Sequence, residues 1–379
     1  MRCGLHWNSL RHRDRGLRYI RAVHPPVAKM LADAWDPGIA NEVHAYGGKV
    51  VARRVEGIGG DWRGNAERTL AWAGDRGWLM DYIEFANEES AGEGNIDEWA
   101  KLCREARKFC EELDALRVPT RGVVLNTSCG QPGNNTDDAT VYWSHSDAVA
   151  LARYCAAHGH LIGVHEYYRP VPWQGVPWRR LDRGRDDWGR VDGAWMLRVM
   201  QAVWVWRARG IRGRFLVTES GRDAMSGTPG DGAGYRNDPA APFADYMEWY
   251  GRHLTAVPEC AGWVDFGFGG TPRWESFDMA EDDAMIDRMT AAMLRLPVGT
   301  EGNVGLEQEA SAHQAIKLNP GAGLQKAGRQ KGYWPTGNEW ASPSLSGHAC
   351  QRFEDPGTGR VFVGEWTGQK VDWHALPKT

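Results

Sequence analysis

The stretch YIEFANEES, residues 82–90, ends an apolar run with an amide and two carboxylates. Its first residues suit a buried strand, and Asn87, Glu88 and Glu89 follow where such a strand would reach solvent. A further acid, Glu219, closes the apolar run FLVTES. Two facing carboxyl groups can perform acid–base and nucleophilic chemistry together, because one can carry a proton while the other stays ionised. These residues therefore indicate a catalytic site.

Short apolar runs and longer helical patterns alternate along most of the chain. The predicted strands lie at 3–8, 26–31, 49–55, 82–87, 121–127, 161–168, 214–220 and 262–269. The predicted helices lie at 65–74, 96–116, 143–158, 192–209, 241–255 and 281–295. Alternating strands and helices imply parallel strands with crossovers, and eight such units close into a (β/α)8 TIM barrel. An open doubly wound sheet is the alternative, but the turn after the first strand, HWNSLRHRDRG, has no GxGxxG.

The last part of the chain has a different pattern. A polar, helix-like segment covers about 308–330, and two short strand candidates at 348–353 and 360–366 are joined by EDPGTG. This pattern predicts a hairpin. We therefore expect an α/β chain with a (β/α)8 catalytic barrel at 1–297 and a small C-terminal α+β appendage at 298–379, packed on the barrel. A stabilising lid is preferred to a sugar-binding module for this appendage.

In a (β/α)8 barrel the active site lies at the C-terminal ends of the strands. Glu88 and Glu219 occupy matching places at the ends of predicted strands four and seven, which form opposite walls of the barrel mouth. The other polar and aromatic side chains at strand ends are His6, Trp7, Asn8, Arg53, Arg54, Asn87, Asn126, His165, Glu166, Tyr167, Asp265, Phe266 and Phe268.

The Asn-Glu pair on strand four, the lone Glu on strand seven and VHEYY on strand six resemble the retaining glycoside hydrolases of clan A, which are (β/α)8 barrels. The run EFANE also matches the E-x-x-N-E pattern familiar in that clan. The resemblance covers residues 3 to about 295 and identifies no family within the clan. It implies cleavage of β-glycosidic or configurationally equivalent bonds of a polysaccharide or oligosaccharide by double displacement, with Glu88 as acid/base and Glu219 as nucleophile.

The same resemblance implies roles for neighbouring residues. Because Glu directly follows Asn in the clan's motif, Glu88 is preferred to Glu89, and the two cannot both face the mouth of the barrel. Asn87 would hydrogen-bond the sugar 2-hydroxyl. Tyr167 or His165 would hydrogen-bond the nucleophile, and Arg53 or Arg54, preferably Arg53, would help to keep it ionised. The remaining substrate contacts are expected from His6, Trp7, Asn126, Trp263 and Phe266.

Glu84 has the same strand parity as Glu88 and should point into the barrel. A buried carboxylate needs a partner. Lys29 on strand two and Arg53 on strand three are the candidates, and their ion pair with Glu84 is expected to be structural.

Composition narrows the function further. The chain has 379 residues and a net charge of −4, with 45 basic and 49 acidic residues interspersed, so a nucleic-acid surface is not expected. Its 20 Trp residues fit a large core and also the stacking of aromatic faces on sugar rings. Aromatic residues on or after the strand ends are Trp7, Tyr167, Tyr168, Trp173, Trp178, Tyr235, Trp263 and Trp274. The seven cysteines form no CxxC pair and are expected to be buried free thiols.

No metal and no cofactor is expected, since the sequence has no HExxH motif and no His-rich cluster. The expected partner is a carbohydrate substrate, without a membrane, and the chain is expected to be a monomer. No signal peptide is visible, so the protein is expected to be cytoplasmic, to be released by lysis, or to have lost a leader. A non-catalytic carbohydrate-binding barrel and a phage-type glycosidase that lyses cell walls stay open as alternatives.

Overall fold

The computed structural model shows a closed barrel followed by a separate C-terminal sheet. The structure describes residues 1–54, 64, 67–68, 71–72, 79–85, 87–88, 95–128, 132, 139–168, 196–222, 240–270, 272–297, 334–335, 340–342, 348–355, 360–366 and 371–375.

Eight parallel strands form the barrel, each hydrogen-bonded to the next and the eighth to the first. They are β1 (Gly4–Trp7), β2 (Val27–Leu31), β3 (Lys49–Arg53), β4 (Tyr82–Glu84), β5 (Arg121–Thr127), β6 (Leu161–Tyr168), β7 (Phe215–Arg222) and β8 (Cys260–Phe268). The predicted (β/α)8 TIM barrel is therefore confirmed. Strand β4 is shorter than expected because the chain leaves the ladder after Glu84, so that Asn87 and Glu88 lie beyond the strand.

Helices follow the strands and cover the outside of the barrel. They are α1 (Arg13–Val23), α2 (Pro37–His44), α3 (Ile96–Ala115), α4 (Ala139–Trp143), α5 (Ser146–His158), α6 (Met200–Ala208), α7 (Ala240–Thr255) and α8 (Asp283–Leu294). Of the helix predicted at 65–74, the described residues are helical. The predicted helix at 192–209 begins at Met200 within the described part, because residues 196–199 form a turn.

Helix α3 shows how local sequence sets an element. The side chain of Asn95 accepts hydrogen bonds from the backbone N–H groups of Asp97 at 3.0 Å and Glu98 at 3.2 Å, which caps the helix. The acids in its first turn also suit the positive end of the helix dipole. The apolar face packs on the barrel and consists of Trp99, Ala100, Leu102, Cys103, Ala106, Phe109, Cys110 and Leu113.

The inside of the barrel has an apolar base and a polar upper part. The base is a layer of aliphatic side chains from Val27, Val51, Val123, Leu161, Leu216 and Val264. Towards the C-terminal strand ends, the interior is filled instead by the buried side chains of Lys29, Glu84 and Thr218. These polar side chains are fully buried, and they lie directly below the strand ends that form the mouth of the barrel.

The C-terminal segment forms a five-stranded antiparallel sheet. Its strands are β9 (Trp334–Pro335), β10 (Trp340–Ser342), β11 (His348–Asp355), β12 (Arg360–Trp366) and β13 (Val371–Ala375). Strands β11 and β12 pair antiparallel, which confirms the predicted hairpin. The helix-like segment at 308–330 lies outside the described residues, and a domain boundary at 297 stays a prediction.

Two further expectations concern the described part of the chain. No helix in it is long and apolar enough to span a bilayer. Its cysteines Cys3, Cys103, Cys110, Cys155 and Cys260 are buried free thiols, as predicted.

A substitution at Gly4 measures how closely β1 and β2 pack. A Cβ at this position would lie 1.8 Å from the carbonyl oxygen of Val27, a backbone atom that cannot rotate away. We expect Gly4→Ala to lower the free energy of unfolding by about 3 kcal/mol in urea denaturation. Gly47→Ala is the control: it meets no atom within 4 Å and has φ of 84°, so it should cost only about 1 kcal/mol. Equal losses in the two variants would contradict this packing.

Candidate active site

The carboxylate of Glu219 lies at the centre of a buried charged cluster. Its Oε1 accepts hydrogen bonds from Arg53 at 2.7 Å and from Lys29 at 3.1 Å. Its Oε2 accepts a hydrogen bond from the hydroxyl of Tyr167 at 2.9 Å and lies 3.4 Å from Nδ1 of His165. Cations and a hydroxyl from three different strands, β2, β3 and β6, thus converge on one side chain of β7.

This environment fixes the charge of Glu219. Burial alone would favour the neutral acid, but the charges of His165, Lys29 and Arg53 outweigh it and hold the pKa of Glu219 well below its usual range. The carboxylate is therefore ionised at neutral pH and held in one orientation, as a nucleophile requires.

Glu88 approaches the same cluster from the end of β4. Its φ of 52° lies in the left-handed region, and its backbone N–H donates to the carbonyl of Asn126 at 3.0 Å. The side chain is 43% exposed, and its Oε1 lies 3.0 Å from Nδ1 of His165. Because Oε2 of Glu219 lies 3.4 Å from the same nitrogen, the two carboxylate oxygens are at most about 6.4 Å apart, which is the sum of the two distances.

His165 stands between the two acids and is fully buried. Burial opposes a charge on its ring, but the carboxylates of Glu219, Glu84 and Glu88 outweigh burial and raise the pKa of His165 to about 9. The imidazolium therefore lies between the two acidic side chains. Of the two groups expected at the nucleophile, Tyr167 donates the hydrogen bond and His165 contributes charge.

Arg53 connects the cluster to Asn87. Its guanidinium donates to Oδ1 of Asn87 as well as to Glu219, and the amide of Asn87 lies at the exposed edge of the site. Arg54 instead donates to the backbone carbonyl of Arg68 at 3.0 Å. Of the two arginines, the structure therefore brings Arg53 to Glu219.

His6 and Phe266 line the opposite side of the cluster. Nδ1 of His6 lies 3.6 Å from Oε1 of Glu219, and burial together with the charge of Lys29 lowers the pKa of His6, which leaves its ring neutral. Phe266 packs edge-on against His6 with ring centroids 5.2 Å apart, and against the half-buried Trp274 at 5.5 Å. Together these rings form an aromatic wall beside Glu219.

Two tryptophans expected to contact substrate point the other way. Trp7 is buried against Phe268, with centroids 4.6 Å apart, and Trp263 is buried against Tyr250 of α7 at 5.1 Å. Side chains alternate along a strand, so the inward direction of His6 sends Trp7 outwards. Both tryptophans are core residues of the outer layer, and the structure does not bring them to the cluster.

Asn126 also departs from the expected substrate contact. It is fully buried, its amide N–H donates to the carbonyl of Phe85 at 2.8 Å, and its Oδ1 accepts from the hydroxyl of Thr218 at 3.1 Å. Leu125 and Asn126 have φ of 79° and 39° at an irregularity of β5, and such bulges are known to re-aim side chains near active sites. Asn126 thus braces the end of β4 and the backbone of Glu88.

The ion pair predicted for Glu84 is confirmed. Nζ of Lys29 lies 2.7 Å from Glu84, and Arg53 lies 3.4 Å from it. The contact of Lys29 with Glu219 was not predicted from the sequence. Strand parity could have indicated that Lys29 points into the barrel, because side chains alternate along a strand, but it does not give the depth at which Lys29 lies.

Glu166 faces away from the cluster, between the inward-facing His165 and Tyr167. Its carboxylate accepts backbone hydrogen bonds from Leu197 at 2.7 Å and Val199 at 2.8 Å. Burial raises the pKa of Glu166 to about 7. Its role is to hold the turn before α6. Glu89, Trp173, Trp178 and Tyr235 lie outside the described residues.

A metal ion has one conceivable set of ligands in the described part. Donor atoms of Glu84, His165 and Glu219 lie within 4.8 Å of one another. However, the ammonium of Lys29 lies 2.7 Å from Glu84 and 3.1 Å from Glu219, and so occupies the place between the two carboxylates that a cation would take. The residues present do not favour a metal there.

The known proteins that are similar to this chain are solved structures of low sequence identity. No protein-family model and no curated protein matches the chain. Similar solved structures include CJP38, a β-1,3-glucanase of Cryptomeria japonica pollen, at 11% identity and a TM-score of 0.43, over 74% of this chain and 95% of that one. Bacteroides uniformis β-glucuronidase 2 is similar at 10% identity and a TM-score of 0.43, over 70% of this chain but only 30% of that one.

An L-ribulose 3-epimerase is also similar, at 12% identity and a TM-score of 0.38, over 82% of this chain and 97% of that one. Glycoside hydrolases and sugar epimerases thus both occur among the structural neighbours. At these identities and TM-scores the likenesses do not select a reaction.

The raised pKa of His165 makes stability depend on pH. Its imidazolium stabilises the fold fully below the ordinary histidine pKa of about 6.5, and this contribution is lost as pH rises through about 9. In urea denaturation, we expect the stability gap between the wild type and His165→Gln to narrow across that window, by up to about 1.4 kcal/mol per pH unit. The exposed His24, replaced by Asn, serves as the control and should follow the wild type. A gap that stays constant with pH would contradict this charge assignment.

Proposed function

We propose that the protein is a retaining glycoside hydrolase of the clan A type, which cleaves β-glycosidic or configurationally equivalent bonds by double displacement. The observation that carries this proposal is the meeting of Glu88 and Glu219 at His165, with carboxylate oxygens at most about 6.4 Å apart. Retaining enzymes hold their two carboxyl groups about 5–5.5 Å apart, whereas inverting enzymes need about 6.5–9.5 Å to admit a water.

The two acids differ in the way this reaction requires. Glu219 is enclosed among cations and stays ionised, which suits attack on an anomeric carbon. Glu88 is 43% exposed at the edge of the cluster, where it can exchange protons with solvent and reach a leaving group. This difference in exposure and in surrounding cations supports Glu219 as nucleophile and Glu88 as acid/base.

The first step forms the glycosyl-enzyme. Oε2 of Glu219 and Oε1 of Glu88 both contact Nδ1 of His165, so Oε2 lies on the side of Glu219 that faces Glu88. Oε2 of Glu219 attacks the anomeric carbon. Glu88 gives its proton to the glycosidic oxygen as that bond breaks. In the second step Glu88 takes a proton from water, the hydroxide attacks the anomeric carbon, and the ester bond to Glu219 breaks.

Substrate binding is proposed for the groups that surround the nucleophile. Arg53 donates a hydrogen bond to the side-chain carbonyl oxygen of Asn87. The amide N–H groups of Asn87 therefore point away from Arg53 and can donate to a sugar 2-hydroxyl. Tyr167 holds Oε2 of Glu219 in line, and the rings of Phe266 and His6 form a wall for the sugar.

A non-catalytic carbohydrate-binding barrel would not need its carboxylates close together. Separations above about 10 Å would exceed even the inverting geometry. The short separation and the ionised state of Glu219 therefore support an enzyme. A glycosidase that lyses cell walls would use the same chemistry, so a substrate panel that includes peptidoglycan and plant polysaccharides distinguishes the two.

We expect Glu219→Gln and Glu88→Gln each to lower kcat/KM by at least about 1000-fold, or ~4 kcal/mol in the barrier, with the fold intact by circular dichroism. Glu88→Ala should recover part of its rate with azide or with substrates that have good leaving groups, because neither needs the missing acid/base. Rates are measured with aryl glycosides and polysaccharides that the wild type hydrolyses.

Glu259→Gln is the matched control. Glu259 pairs with Arg207 at 2.6 Å on the outside of the barrel, so its loss should leave the rate unchanged. A double Glu88→Gln, Glu219→Gln variant that still hydrolysed sugars would end the assignment.

A further inference from the structure

Lys29 is a fully buried ammonium group with all of its hydrogen-bonding capacity used. Its Nζ donates to Glu84 at 3.0 Å, to the backbone carbonyl of Thr218 at 3.1 Å and to Oε1 of Glu219 at 3.1 Å. An ammonium has three N–H donors, and three acceptors surround it. Its position is thus set by contacts from β4 and β7 together.

Glu84 lies behind the cations that contact the nucleophile. It is fully buried, its nearer oxygen lies 2.7 Å from Lys29, and Arg53 lies 3.4 Å away. Nε2 of His165 lies 3.9 Å from it. Glu84 therefore touches each of the three cationic groups whose charges act on Glu219.

Stability alone does not explain this buried pair. Burying two ions removes them from water, and well-packed aliphatic residues in their place are often as stabilising or more so. The base of the same barrel is packed in that way, with valine and leucine side chains such as Val27 and Val264. A lysine and a glutamate kept one layer higher, in contact with the proposed nucleophile, indicate a role in its chemistry.

We propose that Lys29 and Glu84 are positioning residues for the nucleophile. Lys29 anchors Oε1 of Glu219 from below, which leaves Oε2 turned towards Glu88 as the attacking oxygen, and Glu84 fixes Lys29 and Arg53 in the places where they do this. The inference rests on the proposed function in that it takes Glu219 as nucleophile.

Lys29 and Glu84 also have opposite effects on the proton affinity of Glu219. The charged or titratable groups that face Glu219 come from β1, β2, β3 and β6, and are His6, Lys29, Arg53, His165 and Tyr167. Glu88 lies across Nδ1 of His165 from it. Removing Lys29 takes one positive charge from this set, so the proton affinity of Glu219 must rise. Removing Glu84 takes a negative charge from behind the cations, so the proton affinity of Glu219 must not rise.

The test reads the charge of Glu219 without using activity. Protein labelled with 13C at the glutamate side chains is titrated by NMR, and the carboxyl resonance absent from Glu219→Gln belongs to Glu219. We expect Lys29→Met to raise the titration midpoint of Glu219 by about 1 to 3 pH units, the range typical of losing a neighbouring opposite charge. Glu84→Gln should leave the midpoint unchanged or lower.

Lys29→Met leaves Glu84 with one cation fewer and can destabilise the fold, so the double variant Lys29→Met, Glu84→Gln is titrated in parallel. It removes both charges together, and its midpoint should fall between those of the wild type and Lys29→Met. Equal midpoints in the wild type and in whichever Lys29 variant is folded would overturn the proposal.

Kinetics give the second readout, on a glycoside that the wild type hydrolyses. The acid limb of kcat/KM should move to higher pH in Lys29→Met by the same amount as the NMR midpoint, with kcat lowered more than KM is raised. An NMR shift without a matching shift of the acid limb would overturn the positioning role. If the wild type hydrolyses no glycoside at all, the proposed function fails, while the NMR titration still decides whether Lys29 holds the charge on Glu219.

Discussion

The compensation of one buried carboxylate organises the upper half of this barrel. Glu219 is taken out of water, which on its own would neutralise it, and its ionised form persists only because Arg53, Lys29 and His165 surround it. Those cations in turn need partners. Glu84 supplies a buried one and Glu88 an exposed one, and so a single requirement of charge balance connects five strands at one end of the fold.

The barrel delivers these groups by simple geometry. Parallel strands bring their C-terminal ends to one mouth, and alternation sends every second side chain inwards. Local irregularities then adjust the aim. The left-handed backbone at Leu125 and Asn126 places a carbonyl where it receives the N–H of Glu88, and the left-handed φ of Glu88 turns its side chain back over the cluster. Such strained positions persist where surrounding contacts hold them, and they concentrate at functional sites.

Much of this arrangement could be predicted from the sequence, because it depends on periodicity. Strand parity placed Glu84 inside and named Lys29 and Arg53 as its partners, and the alternation of strands and helices gave the closed barrel. The direction in which side chains point at the strand ends was harder to predict. Trp7 and Trp263 stand beside inward residues yet point outwards, so that aromatic type alone was a misleading signal for a sugar contact.

Asn126 and Lys29 show why the rest could not be predicted. The brace formed by Asn126 depends on two left-handed residues in β5, and neither residue is a glycine that would have signalled such a turn. The contact of Lys29 with Glu219 depends on how far along the barrel axis β2 and β7 place these two residues. That depth is set by the register of all the strands in the closed barrel, and the local sequence does not determine it.

Covalent trapping of the proposed nucleophile is the most direct test of the role of Glu219. The protein is incubated with 2-deoxy-2-fluoro aryl glycosides of several sugar configurations, and the labelled residue is located by peptide mass mapping. We expect a glycosyl ester on Glu219 and none in Glu219→Gln. A label on Glu84, Glu88 or any other carboxylate of the wild type would contradict it.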